Sequence, residues 1–596
     1  MLVINQDERD ARALELPEIV SGLLVMLVVL WDASFAGAAS LSIGHWEHRQ
    51  SLDVLLCCLV WFNTLVVVVH TISRMHRGRR VGRFLWLQLL AGVVASLVFS
   101  DGVWAYLPGF FRSLCAPMGL ILGVFSFINM RACIRARRRR GSIKGRQVNP
   151  AFSFFTYMVA LVVFSTLLLM TPGATVKPIS FVDAFFMSAS ATSITGLTTL
   201  DVSSTFTAFG KMVLLLDIQV GALGVMTFTY FVLMMVGKRL AVRDSVSMSG
   251  FLDQQGGSIV GPLLKSVGFV TLAAEAAGAI CLYFLWQGQQ DIPQVDLLAY
   301  AVFHSVSAFC NAGITLFPDN MATAYVSQAY AVQGVMMVLM FVGALGFGVY
   351  LECMTRLRQR LSGQRVQKRW STHSWLVLRV TLITLLVGCV GMSLLGWLEP
   401  SAHSRDGMYS VWESLWNAIG RSAGFNLTDI SDYGVVYKLF LCVMMFVGGN
   451  PAGTGGGVYA PVVAICVMEV LRVLRGMQDV ELHHRRIARS TVDRALTTVL
   501  LSVFWIVITT MLVLLLEPAL AAQPGGFLKV LFMEVSAYTT TGYDLGAVQE
   551  LSTPSKIIVS FNMLFGRVGM FTFMLIFIRQ KDPSPARFPE TRLPLS

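Results

Sequence analysis

Apolar runs long enough to cross a bilayer recur along this chain, and short small-and-polar segments interrupt the apolar background at regular intervals. About 20 apolar residues cover a hydrocarbon core. Stretches of that order lie near 16–38, 52–73, 82–100, 111–130, 151–171, 207–236, 263–286, 328–352, 374–397, 433–471, 495–516 and 554–578. The pattern predicts twelve spans, with the tenth too long to be a simple one. The first follows the acid-containing Asp7-Glu8-Arg9-Asp10 and is not succeeded by a small-residue cleavage site, so it reads as a retained span and not a signal peptide.

Four of the interruptions end in Gly followed by a larger residue: Thr195-Gly196-Leu197, Ala312-Gly313-Ile314, Ala423-Gly424-Phe425 and Thr541-Gly542-Tyr543. Subtracting residue numbers places these glycines 117, 111 and 118 positions apart, the mark of one structural unit used four times. Upstream of each Gly runs an aromatic-rich stretch, at 181–192, 298–309, 409–420 and 528–538, too short to span a membrane. Each fits a half-helix that enters the outer leaflet and stops midway. Small residues recur just before the glycines (Ser190-Ala191, Ser307-Ala308, Ser536-Ala537, with Ala418-Ile419 in the third copy) and read as close-packing positions. Asp201, Asp319, Asp429 and Asp544 follow within a few residues.

Irregular backbone cannot face lipid, so four such loops must face protein or a water-filled cavity, and arranged around an axis they leave a central pore. The half-helices would point their negative C-terminal ends at that axis and the loops would present carbonyls to it, both favouring a dehydrated cation. Gly at each centre fits a strand that turns consecutive carbonyls one way, which a residue with a Cβ does only at a cost. The expectation is an all-α polytopic membrane protein with four helix–pore-loop–helix repeats, at 148–237, 260–356, 373–472 and 494–580. Four accessory transmembrane helices (1–130) and a basic cytoplasmic linker (131–147) precede them, and a cytoplasmic tail (581–596) follows.

Composition agrees: 55% of the 596 residues are hydrophobic and 13% charged, a balance that excludes a soluble domain. The net charge of +12 comes from Arg and Lys clusters at 74–83, 131–146, 238–243, 356–369, 472–489 and 579–592. With a cytoplasmic N-terminus, all six fall on the cytoplasmic side, as the positive-inside rule requires. Arg137 to Arg140 therefore read as an anchor on anionic lipid headgroups and not as a nucleic-acid site. The acids Asp183, Asp291, Glu399, Asp406, Asp432 and Glu550 fall on the predicted outer side and would draw cations to the entrance. The ten cysteines include no CxxC pair, and Cys310 reads as a small residue packed behind a loop. An enzyme would call for His, Asp or Glu clustered at one depth, but the histidines are dispersed. Only His304 lies close to a central loop, and His483-His484 sits in a cytoplasmic segment.

Two further features stand out. Gly448-Gly449-Asn450-Pro451-Ala452-Gly453-Thr454-Gly455-Gly456-Gly457 breaks the tenth apolar run, because six glycines and a proline cannot continue a helix. It lacks the Gly-Lys-Ser/Thr of a phosphate loop. Arg567 stands near the middle of the last run, where an arginine costs roughly 2.5–3.5 kcal/mol on insertion scales and should face a cavity or a carboxylate.

The phrases Ser193-Ile194-Thr195-Gly196-Leu197, Asn311-Ala312-Gly313-Ile314, Arg421-Ser422-Ala423-Gly424-Phe425-Asn426 and Thr540-Thr541-Gly542-Tyr543-Asp544, together with Gln219-Val220-Gly221-Ala222-Leu223-Gly224-Val225-Met226-Thr227, resemble the Trk/Ktr-type potassium transporters (the TrkH/KtrB/HKT superfamily). The resemblance covers roughly 150–579 and holds in all four repeats. It implies uptake of potassium through a channel-like selectivity filter, with K+ as the transported ion and no covalent cofactor. The filter residues it implies are Ser193, Ile194, Thr195 and Gly196; Asn311, Ala312 and Gly313; Ser422, Ala423 and Gly424; and Thr540, Thr541 and Gly542. It makes 448–457 an intramembrane gate beneath the filter, with Gly448, Gly449, Asn450, Gly453, Thr454, Gly455, Gly456 and Gly457 as its parts and Arg567 opposite. Val458-Tyr459 departs from the family, which is often basic there. Arg421 would anchor the third loop through backbone or acid neighbours.

Members are multi-pass plasma-membrane proteins, the bacterial ones homodimers in the inner membrane, gated by cytosolic nucleotide-binding (RCK/TrkA-like) subunits. Other readings left open are a sodium-coupled or mixed potassium and sodium transporter, the ion-conducting subunit of a potassium-pumping ATPase, and an organic-solute symporter. The last usually shows two related halves and not four quarters.

Overall fold

The computed structural model describes residues 150–171, 173–241, 260–288, 296–318, 320–363, 370–398, 407–482 and 485–569. The expected accessory helices, basic linker and tail lie outside these residues, as do the repeat boundaries near 148 and 580. Asp291, Asp319, Glu399, Asp406, His483 and His484 also lie outside them.

The chain is helical, as expected, and passes four times through helix, short buried helix, glycine loop and helix. The first pass is α1 (Pro150–Leu169), α2 (Phe181–Ser193) and α3 (Ala208–Ala241). The second is α4 (Val260–Trp286), α5 (Leu297–Cys310), α6 (Tyr330–Ala344) and α7 (Phe347–Leu361). The third is α8 (Thr372–Leu398), α9 (Gly407–Gly420), α10 (Val435–Phe446) and α11 (Ala460–Leu474), and the fourth is α12 (Arg489–Leu516), α13 (Gly526–Tyr538) and α14 (Thr553–Val568). A two-residue antiparallel hairpin, Glu481–Leu482 with Arg485–Arg486, joins α11 to α12.

The short helices α2, α5, α9 and α13 have 13 or 14 residues, about 20 Å of rise, which is less than a bilayer core. Among the described residues, Val267–Trp286 within α4, all of α8 and all of α12 are long and apolar enough to cross a membrane. Their surfaces are reversed relative to a water-soluble protein. On α12, Leu500, Phe504, Met511 and Leu515 are exposed while Ser502, Thr509 and Thr510 are buried. On α8, Ile383, Leu386, Val390 and Trp397 face outward while Ser374, Thr381 and Thr384 face in. Exposing these side chains to water would each cost roughly 1.5–3 kcal/mol, so the solvent for these faces is lipid.

The chain divides into two units. The described part of the smaller one, Ser165–Phe181 and Ser204–Val213, is tied by a bridge between Thr175 and Phe206 and by the Thr207 hydroxyl donating to the Gly173 carbonyl at 2.6 Å. The larger unit holds all four glycine loops. Two apolar clusters support it. Val162, Phe186, Val513, Met533, Val559 and Met563 belong to one. Leu441, Met445, Phe532, Tyr538 and Tyr543 belong to the other.

The apolar run 328–352 predicts one span, yet the chain bends by 99° between α6 and α7. Gly346, at φ +88°, makes the turn. The bend frees the carbonyls of Gly343 and Ala344, and the glycine-rich segment of the third pass pairs them: Thr454 N–H donates to Gly343 O at 3.0 Å and Asn450 N–H to Ala344 O at 3.2 Å. In return Phe347 N–H donates to Ala452 O at 3.0 Å. Two broken backbones thus satisfy each other where water cannot.

Candidate functional site: a ring of four glycine loops

Three of the four short helices end identically. After α2, Ile194 N–H donates to Ala191 O and Thr195 N–H to Ser190 O; after α5, Asn311 pairs with Ala308 and Ala312 with Ser307; after α13, Thr540 pairs with Ala537 and Thr541 with Ser536. This is the Schellman termination, which requires a left-handed residue after the cap. Ile194 (φ +59°), Asn311 (φ +58°) and Thr540 (φ +48°) supply it. Asn tolerates that region, whereas β-branched Ile and Thr adopt it at a cost of about 1–2 kcal/mol. Two residues on, Gly196, Gly313, Gly424 and Gly542 have φ of +90°, +67°, +70° and +100°.

The third loop differs. Ala423 and Gly424 N–H both donate to Gly420 O, and Ser422 is not left-handed. Arg421 braces it instead, donating to the carbonyls of Ala418 at 2.9 Å, Val447 at 3.1 Å and Gly448 at 3.4 Å. Its role as a backbone anchor is as expected. Trp416 Nε1 adds a bond to Phe425 O at 2.7 Å.

The loops close on one another in cyclic order. A Cβ placed on Gly196 would lie 2.4 Å from Ala312 O, on Gly313 2.3 Å from Ala423 O, on Gly424 2.2 Å from Thr541 O, and on Gly542 2.3 Å from Thr195 O. Each glycine therefore lies against the carbonyl one residue before the next loop's glycine, and the fourth returns to the first. Ser193, Thr195, Ala312, Ser422, Ala423 and Thr541 all come into this ring, and all are buried. The Thr195 hydroxyl lies 2.6 Å from that of Ser193, and the Thr541 hydroxyl donates to Arg421 O of the neighbouring third loop at 3.0 Å. A polar cleft at the mouth is lined by Thr199, Asp201, Thr315, Asn320 and Gln549 among others. Asp201, Asp429 and Asp544 each accept backbone N–H groups two to four residues on, so these acids order the turns that follow the loops.

The segment 448–457 lies against the ring on the side where the short helices end. Asn311 Nδ2 donates to Thr454 Oγ1 at 2.7 Å, and Thr454 Oγ1 donates to Phe309 O at 2.9 Å. Cβ atoms on Gly455 and Gly456 would lie 3.3 Å from Ser422 Cβ and 1.7 Å from Thr540 Oγ1. The segment thus touches the residue two before the glycine in three of four loops. Gly448 and Gly449 N–H pair with Val458 O and Gly456 O, and Gly453 N–H with Asn450 O. Asn450 Nδ2 reaches Thr381 Oγ1 on α8 at 2.9 Å. A Cβ on Gly457 would meet Gly448 Cα at 2.8 Å. Arg567, 6% exposed near the end of α14, donates through Nη1 to Thr454 O at 2.8 Å. Its Nε and Nη2 are buried with no protein partner among the described residues.

Sequence reading missed a second set of close approaches. Cβ atoms on Gly221, Gly343 and Gly566 would lie 2.2, 1.9 and 1.8 Å from the carbonyls of Thr192, Phe309 and Tyr538, each four residues before a ring glycine. In these three passes the helix after the loop presses on the end of its own short helix, which a side chain would prevent. Gly566→Ala is expected to cost about 3 kcal/mol by overpacking against backbone. Gly334→Ala, whose Cβ meets nothing within 4 Å, is the neutral control. Thermal unfolding of the purified proteins in detergent checks this, with only Gly566→Ala expected to lower the midpoint. His304 is fully engaged: Nδ1 pairs with Tyr300 O at 2.8 Å and Nε2 accepts from Leu316 N–H at 3.3 Å.

Comparisons with known proteins agree with this architecture. A family model described as TrkH, cation transport protein, matches residues 121–588. The Ktr system potassium uptake protein B of Bacillus subtilis is 30% identical over 438 residues, 72% of this chain and 93% of the relative. The protein of the same name from Vibrio alginolyticus is 31% identical over 431 residues, covering 72% and 90%. In fold, the chain resembles the crystal structure of the potassium transporter TrkH from Vibrio parahaemolyticus, with a TM-score of 0.60 at 17% identity over 83% of this chain and 97% of that one. With a helical fold of this kind and a family match over most of its length, the chain belongs to the TrkH family of cation transport proteins.

Proposed function

We propose that this protein takes up potassium across the plasma membrane through a gated selectivity filter formed by the four glycine loops. The observation that carries the reading is the cyclic closure of the loops, each glycine at positive φ against the next loop's carbonyl. Such a ring offers carbonyl oxygens in place of a hydration shell, and the ends of four short helices add negative potential. Ser193, Ile194, Thr195 and Gly196, Asn311 to Gly313, Ser422 to Gly424, and Thr540 to Gly542 are its lining. The two relatives named above carry the name of potassium uptake proteins. The segment 448–457 acts as the gate, because it lies against three of the loops on one side of the ring and is pinned by Arg567.

Transport follows the electrochemical gradient, K+ being cargo and not cofactor. The protein works as a homodimer in the bacterial inner membrane, its N-terminus cytoplasmic, with a cytosolic nucleotide-binding regulatory subunit that sets the gate. Growth of a potassium-uptake-deficient bacterial strain at limiting potassium tests the reading. The gene is expected to restore growth, together with its regulatory subunit if alone it does not. Failure of the pair, with the protein present in the membrane, counts against potassium uptake.

A further inference from the structure

The serine six positions before each ring glycine occurs in three copies, Ser190, Ser307 and Ser536, and the third copy has Ala418. Close packing explains a small residue but not a hydroxyl. Ser190 Oγ accepts the Gly196 N–H at 3.0 Å, and Ser536 Oγ accepts the Gly542 N–H at 3.0 Å. Both serines are fully buried.

A trans peptide is planar, with its N–H and C=O on opposite sides. Holding the Gly196 N–H back against α2 therefore turns the Thr195 carbonyl the other way, and holding the Gly542 N–H turns the Thr541 carbonyl. Those two oxygens lie 2.3 and 2.2 Å from where a Cβ on Gly542 or Gly424 would stand, so each faces the glycine of a neighbouring loop. Ser307 acts differently, donating to the Ile314 carbonyl at 2.7 Å and drawing back the residue after Gly313. In the third loop the Gly424 N–H goes to Gly420 O. Hydroxyl bracing of the central peptide is thus confined to the first and fourth loops, which are neighbours in the ring.

We propose that Ser190 and Ser536 are positioning residues that determine ion specificity by fixing the Thr195–Gly196 and Thr541–Gly542 peptides with their carbonyls toward the ion. This rests on the filter reading given above. Without an acceptor, the buried glycine N–H loses its partner and the flipped peptide, which presents N–H to a cation, becomes accessible. Glycine on one side of the peptide makes that flip sterically easy.

The test uses purified full-length protein in proteoliposomes, with the ratio of rubidium to sodium uptake as readout. Ser536→Ala, and the near-isosteric Ser536→Cys with its weak sulfur acceptor, are expected to lower the ratio roughly tenfold, the scale of one lost hydrogen bond to a buried donor. Ser536→Thr restores an acceptor and is expected to retain the ratio. A ratio unchanged in both Ala and Cys variants, with a selective wild type, overturns the inference alone. Loss in the Thr variant equal to that in Cys overturns it too, since packing and not the hydroxyl would then be at work. A wild type without preference for rubidium overturns the filter reading and this inference with it.

Discussion

Replacing Gly542 with serine is expected to collapse the preference for potassium over sodium by at least about tenfold while leaving the protein in the membrane. The new Cβ would stand 2.3 Å from Thr195 O and 3.1 Å from Gly196 Cα, both backbone atoms that cannot rotate away. At φ +100° a residue with a Cβ is also strained in its own right. The least costly relief is displacement of the first loop, which moves the carbonyls proposed above to replace the ion's hydration shell. Discrimination between potassium and sodium depends on the number and placing of those oxygens, and about 1.4 kcal/mol of misplacement is a factor of ten. The cyclic closure has a second consequence. Gly196→Ser would push on the second loop through Ala312 O, and each variant should damage its neighbour as much as itself. Isotope uptake of rubidium and sodium by cells carrying Gly542→Ser checks the effect. An unaltered ratio contradicts the assignment of this loop to the filter.

Neutralising Arg567 is expected to raise flux. Two of its guanidinium nitrogens are buried without a protein partner among the described residues, and the third holds Thr454 O of the glycine-rich segment at 2.8 Å. A fixed positive charge passed by a cation at about 8 Å raises its energy by roughly 2 kcal/mol at an effective dielectric of ~20, or up to about thirtyfold in rate. Arg567→Gln keeps a donor for Thr454 O and removes only the charge, so it isolates the electrostatic barrier. Arg567→Ala also releases the segment and should exceed it. Deleting 453–457 tests the obstruction itself, because it removes the bonds from Thr454 to Gly343 O and Phe309 O along with the contact on Thr540. Uptake at or below wild type in all three, measured in proteoliposomes without a regulatory subunit, would exclude 448–457 and Arg567 as the gate.

The positions of the four loops were legible in the sequence because two signals coincide there. Gly and small polar residues interrupt an apolar background, and they do so at one period. The expected half-helices at 181–192, 298–309, 409–420 and 528–538 fall within two residues of α2, α5, α9 and α13. Other features depend on partners distant in sequence. The bend at Gly346 sits in an unbroken apolar run, and glycines such as Gly343, Gly346 and Gly348 are ordinary in a membrane helix. The bend is stable only because Thr454 and Asn450, more than a hundred residues away, satisfy the freed carbonyls. The left-handed Ile194 contradicts its own local preference, and its conformation is set by the helix ending that the chain must make before Gly196. Ser190 and Ser536 were visible as small residues, but only coordinates separate a packing methylene from a hydroxyl bonded to a glycine N–H.

The most direct test of the central claim, that four asymmetric glycine loops make one potassium-selective pathway, is ion competition in proteoliposomes holding the purified wild-type chain. Uptake of a rubidium tracer driven by an inside-negative potential is expected to be suppressed by external potassium at concentrations where sodium, in at least about tenfold excess, has little effect. Equal suppression by sodium and potassium, or no potential-driven uptake by protein shown to be folded and inserted, would contradict it.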